Sequence, residues 1–156
     1  MAGKDLQQMS DEVSVDEINA RLTMQLATSH DGLPWNCTVY FVLYEGSFYW
    51  LSFPGRRHSQ ELAANPNAAI AIVIQPTQPV VGVQAEGVVA IVQDIIEAEA
   101  VLDIYVGKYN QGGQFISLLR TGNNKHNLYR LSPKRVMVFD ERGSRATISP
   151  RELRIT

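Results

Sequence analysis

The sequence predicts a mainly β protein, with six or seven mostly antiparallel strands and short helices forming a small, closed or partly closed barrel. Three observations predict it. Asp31-Gly32 and Glu45-Gly46 are tight-turn signals between runs rich in aromatic and β-branched residues, which makes antiparallel hairpins. Residues 68–74 and 80–92 are long apolar runs, the second interrupted by Gly82 and Gly87, as at a bulge or a barrel corner. Helical periodicity is confined to short stretches.

Taken in order, residues 1–13 are polar and expected to be a disordered N-terminal segment, with one domain over 14–156. Ser14 and Glu17 have the spacing of a capping box and open a short helix over 14–23. Strands follow at 24–29, 35–44 and 48–52, and the two hairpins linking them predict a meander. A helix over 56–64 ends at Asn65-Pro66. Residues 68–74 are apolar on both faces, so a helix or a second subunit is expected to cover them. After the strand at 80–92, Ile95, Ile96, Ala98, Val101, Leu102 and Tyr105 have helical spacing over 94–109. A short helix at 114–120 and strands at 127–131 and 135–140, parted by Ser132-Pro133, complete the expectation. The tail from Ala146 is left unassigned.

The composition narrows the function. The 156 residues, 45% hydrophobic and 19% charged, suit one globular domain. A net charge of −2 argues against tracking a nucleic-acid backbone. One cysteine, Cys37, rules out an internal disulfide, and the sequence lacks zinc-type spacing. The N-terminus lacks the apolar core of a signal peptide, and no apolar run approaches the roughly 20 residues that cross a bilayer. A cytoplasmic location is expected. No nucleophile elbow, P-loop or dinucleotide fingerprint occurs.

The most informative stretch is Phe48 to Pro66. There an aromatic strand feeds the turn Pro54-Gly55, and Arg56, Arg57 and His58 stand at the mouth of a helix. Cations at a helix N-terminus oppose the dipole, at roughly 0.3–1 kcal/mol each. A phosphate would reverse that sign through free N–H groups and guanidinium contacts. The alternative is a solvated basic turn. His30 reads as a turn residue, and His126 lies in a polar loop able to close over a ligand. Trp35, Tyr40, Tyr49, Trp50 and Phe53 are core candidates, or walls for a planar heterocycle. Glu86 interrupts an apolar strand, either exposed or as a partner for Arg57 or a neighbouring subunit.

Leu26-Ala27-Thr28, Asp31-Gly32-Leu33-Pro34, Phe48-Tyr49-Trp50-Leu51, Arg56 to Pro66 and Val83 to Gly87, in that order, resemble the pyridoxamine 5′-phosphate oxidase-like, FMN-binding split-barrel superfamily. The resemblance spans about residues 14–140. It implies a split β-barrel and a homodimer with FMN sites at the subunit interface. Carried over by position, it implies that Tyr49, Trp50, Leu51 and Ser52 line the flavin through their backbones. Arg57 and His58, then Arg56 and Ser59, would hold its phosphate. Thr38, Val39 and Tyr40 would face the ring, with Gln84 as a further candidate. His58 stands where the family commonly has lysine, and the C-terminal substrate motif of the oxidases themselves is not recognisable. The expected function is therefore that of an FMN-dependent oxidoreductase or flavin reductase of unknown substrate, with no metal site. The alternatives are a haem-binding barrel using His58 or His126 as axial ligand, a deazaflavin F420-binding barrel, and a non-catalytic dimeric binding module.

Overall fold

The computed structural model describes residues 13–110, 125–141 and 146–148. The strands are β1 (Thr23–His30), β2 (Leu33–Tyr40), β3 (Val42–Tyr44), β4 (Ser47–Ser52), β5 (Asn67–Gln75), β6 (Val81–Ile91), β7 (Asn127–Asp140) and β8 (Ala146–Ile148). The helices are α1 (Val15–Asn19), α2 (Arg57–Ala64) and α3 (Ile95–Tyr109). All strand pairs are antiparallel, in the order β2-β1-β5-β6-β7-β4-β3, with β8 beside β7. This is the mainly β, split-barrel class that the sequence predicts. The expected helix at 114–120 lies outside the described residues, as do residues 1–12 of the expected disordered segment. Val13, assigned to that segment, is buried in the core.

The predicted strand 35–44 is the main correction. It breaks at Phe41 into β2, which pairs with β1, and β3, which pairs with β4. The two hairpins therefore sit at opposite ends of the sheet order and do not form a meander. Because only Phe41 separates β2 from β3, the curled sheet brings its two ends together there. α3 holds the bend. The Phe41 N–H donates to Tyr109 Oη at 2.9 Å, and the Phe41 carbonyl accepts from Lys108 Nζ at 2.7 Å. Phe41 thus finds its backbone partners on a helix 67 residues downstream, which no local pattern announces.

Two further differences have local causes. α1 stops at Asn19, short of the expected end, because the Asn19 side chain exchanges two 2.8 Å hydrogen bonds with the Leu43 backbone. The Ser14–Glu17 capping box is formed as predicted. Residues 127–140 are one strand, which passes Pro133 with Lys134 as an extra residue that has no partner in the β6 register. The β6–β7 register shifts between Glu86 and Gly87. A Cβ at Gly87 would lie 2.1 Å from the Ser132 carbonyl oxygen, so only glycine fits this bulge.

The core fills the barrel with alternate residues of each strand, including Met24, Leu26, Ile70, Ile72, Val83, Leu131, Val136 and Trp50. β5 is apolar on both faces as read, but only Ala68, Ile70 and Ile72 point inward. Ala69, Ala71 and exposed Val73 form its outer face.

Candidate functional site

α2 lies beside the split between β2 and β4, which share no hydrogen-bonded ladder. β3 ends opposite Tyr49, so the β4 backbone at Trp50–Ser52 pairs with β7 on one side and has no β3 partner on the other. The turn after β4 is closed by the Arg56 N–H donating to the Phe53 carbonyl at 3.1 Å. Arg56 is the N-cap of α2. It makes no side-chain capping bond, and the first turn carries no acidic residue. The first N–H groups of the helix therefore point outward uncapped, with two guanidiniums nearby.

Each arginine rests on an aromatic ring. The Arg57 guanidinium carbon is 4.1 Å from the Trp35 ring centre, and that of Arg56 is 5.9 Å from Phe53. Phe53 in turn contacts the His126 ring at 3.8 Å. Arg57 Nε also donates to Glu61 Oε1 at 2.9 Å. Glu61 accepts a 2.5 Å bond from Thr28 Oγ1 as well. The Thr28 and Arg57 bonds hold the Glu61 carboxyl below its usual range. The i,i+4 spacing of Arg57 and Glu61 was readable in the sequence, whereas Thr28 and Trp35 as partners were not.

The His58 side chain, expected at the phosphate, is engaged with Ser52 and Cys37 instead. It is buried, with Nε2 2.7 Å from Ser52 Oγ and Nδ1 3.4 Å from Cys37 Sγ. Both ring nitrogens are thus occupied. Burial, then the charge of Arg56, lowers its pKa, so the neutral ring is favoured. The same bonds remove His58 as an axial ligand. Burial raises the Cys37 thiol, and Glu61 adds to the shift, so it is a poor nucleophile near neutral pH. His126 is also lowered, by burial and Arg56, and its Nδ1 is buried with no hydrogen-bond partner among the described residues.

The other predicted residues divide into separate groups. Ser59 is on the opposite side of α2 from the arginines' rings, lining a cleft with Tyr129. Tyr49, Trp50 and Ser52 are buried and Leu51 is half-buried. Val39 is buried on the face of β2 that carries Cys37. Thr38 and Tyr40 are exposed on the other face, where Thr38 bonds Gln25 at 2.9 Å. Gln84 lies on the outer sheet face with Gln25, Asn36, Ala69, Ala71 and Met137, around a cleft of about 320 Å³. Glu86 pairs with Arg135 at 3.2 Å and does not meet Arg57. Among the described residues no cluster of His, Cys, Asp and Glu is arranged to hold a metal ion. No helix of the described residues is long and apolar enough to cross a membrane.

Comparison with known proteins agrees with the architecture. The family model described as pyridoxamine 5′-phosphate oxidase matches residues 10–145. A search of curated proteins finds no match. Among solved structures, the haem storage protein HutZ from Vibrio cholerae is similar at 22% identity and TM-score 0.64, covering 80% of this chain and 89% of its own. A haem-binding protein from Mycobacterium smegmatis matches at 21% and 0.64, over 91% of this chain and 60% of its own. A FAD-binding protein from Mesorhizobium loti matches at 20% and 0.57, over 79% of this chain and 88% of its own.

Proposed function

Because the chain belongs to the pyridoxamine 5′-phosphate oxidase family, we propose that it binds FMN as a homodimer and works as an FMN-dependent oxidoreductase of the flavin-reductase kind. The observation that carries the reading is the uncapped, doubly basic N-terminus of α2 beside the unpaired edge of β4. A phosphate monoester fits this place, since uncapped N–H groups and two guanidiniums all favour a dianion. Arg56, which has no ion pair among the described residues, supplies the freer charge; Glu61 already partly neutralises Arg57.

When bound, the flavin supplies the hydride and electron transfer itself. Arg56 and Arg57 anchor its phosphate, and the Trp50–Ser52 backbone orients its ring system. Trp35 and Phe53 hold the two guanidiniums by cation–π contact and limit their motion. His58 fixes the Ser52 hydroxyl and so keeps the β4 edge in place. The outer face with Gln84 and the small residues Ala69 and Ala71 suits a flat contact with a second copy. Titration of the full chain with FMN, followed by flavin fluorescence, tests this. Arg57→Ala should weaken binding at least tenfold, since lost charged hydrogen bonds cost about 1.5–3 kcal/mol. Unchanged affinity in the Arg56→Ala/Arg57→Ala double variant would refute the phosphate site.

A second reading, haem binding, is favoured by one observation. The His126 ring, with its unpartnered Nδ1, lies against Phe53 at the edge of the same site. A Soret band that disappears in His126→Ala would select it over the flavin reading.

A further inference from the structure

Behind α2, away from the stacked arginines, a cleft of about 470 Å³ runs between the helix and the ends of β6 and β7. Its size is within the roughly 300–1,000 Å³ of small-molecule sites. Ser59 lines it. This residue is only 4% exposed, and its Oγ has no hydrogen-bond partner among the described residues. A buried hydroxyl without a partner costs about 1–3 kcal/mol, so the geometry favours an acceptor from outside the described residues.

The rest of the lining fixes the chemistry of that acceptor. Leu62, Ile91 and the Tyr129 ring supply an apolar wall, and Tyr129 is stacked on Trp50 at 5.6 Å. Gln60, Gln93 and Asn127 supply side-chain amides, each both donor and acceptor. Among the described residues no charged side chain lines the cleft. An ionised ligand would lose hydration there without gaining a counter-charge. A flat, neutral group with a carbonyl and an N–H of its own matches all these features.

We propose that the Ser59 cleft is a binding site for neutral aromatic carboxamides, with the Ser59 hydroxyl donating to the ligand carbonyl. The site is separate from the phosphate site in front of α2 and does not depend on the FMN reading.

The test is titration of the full-length protein with nicotinamide and, in parallel, with nicotinate, which replaces the neutral amide by a carboxylate on the same ring. The readout is the NMR shift of the Trp50 indole N–H and of the Asn127 side-chain amide. Nicotinamide should give saturable shifts, and nicotinate should bind at least tenfold more weakly. Ser59→Ala should weaken nicotinamide roughly three- to tenfold, as for one neutral hydrogen bond. Ala63→Leu, an exposed helix position that projects bulk into the cleft, should abolish the shifts while leaving the spectrum folded. Absence of saturable shifts, equal binding of the two compounds, or no change in either variant would overturn the proposal.

Discussion

His58 Nδ1 lies 3.4 Å from Cys37 Sγ, and the opposite ring nitrogen lies 2.7 Å from Ser52 Oγ. One buried imidazole thereby joins β2, α2 and β4 across the split of the barrel, where no backbone ladder connects them. Its burial and the charge of Arg56 favour the neutral ring in this position.

This sets a pH dependence. The ordinary histidine value is near 6.5, and in the fold it is lowered by burial and Arg56, with Glu61 opposing. Below about pH 6.5 the unfolded chain takes up a proton that the folded state resists, so stability present above that pH falls as the solution is acidified. The urea midpoint should drop across this range in the parent protein and less steeply in His58→Gln. Equal slopes would show that His58 is not the linked group. His126, lowered in the same direction, accounts for a residual slope.

Lys108 gives the opposite end of the pH scale. Burial lowers its amine to about 8, and Nζ donates to the Phe41 carbonyl at 2.7 Å. The unfolded amine holds its proton up to about pH 10.4. Stability should therefore rise with pH from about 8 towards 10, as the unfolded state loses its excess proton. Above pH 10 the buried Tyr105, raised to about 12, reverses the trend, since the unfolded phenol ionises first. Lys108→Met should flatten the rise between pH 8 and 9.5 in urea titrations. A rise that persists would assign it elsewhere.

At Gly87 the expected outcome is steric. A methyl group would collide with the Ser132 carbonyl and with Pro133 Cα at 2.8 Å, both backbone atoms that cannot rotate away. Gly87→Ala should cost at least ~1–3 kcal/mol in denaturant unfolding. Gly55→Ala, where the added carbon meets nothing within 4 Å, serves as the control and should change little.

The Glu97 carboxylate accepts from Tyr49 Oη at 2.8 Å and from Arg130 at 2.6 Å, which docks α3 on β4 and β7. Tyr49→Phe removes one hydrogen bond and should cost about 0.5–1.5 kcal/mol. Glu97→Ala strands two donors, and the buried Arg130 Nε already lacks a partner among the described residues, so its cost should be clearly larger. Unfolding midpoints of the two variants decide; equal values would mean that the triad does not act as a unit.

The local features were legible because nearby residues determine them. Ser14 and Glu17 specified the cap of α1, Asp31-Gly32 the first hairpin, and Asn65-Pro66 the end of α2. Gly87 was read, with Gly82, as marking a bulge or a barrel corner, and the β6–β7 register does shift beside it, because a glycine inside an apolar strand signals close backbone approach. The positive charge at the α2 entrance was likewise visible, since Arg56 and Arg57 stand next to the helix start.

By itself, then, the sequence determined the strand content, the turns and the charge at one helix mouth, all set by periods of a few residues. Only the tertiary structure decided that residues 33–44 bend at Phe41, that His58 turns inward between Cys37 and Ser52, and that Ser59 faces a cleft behind the helix. Each of these depends on a partner far away along the chain: Lys108 and Tyr109 for Phe41, Cys37 for His58, Tyr129 across the cleft from Ser59. Periodicity selects the face a residue presents, but the direction of a side chain on that face is settled by what packs against it.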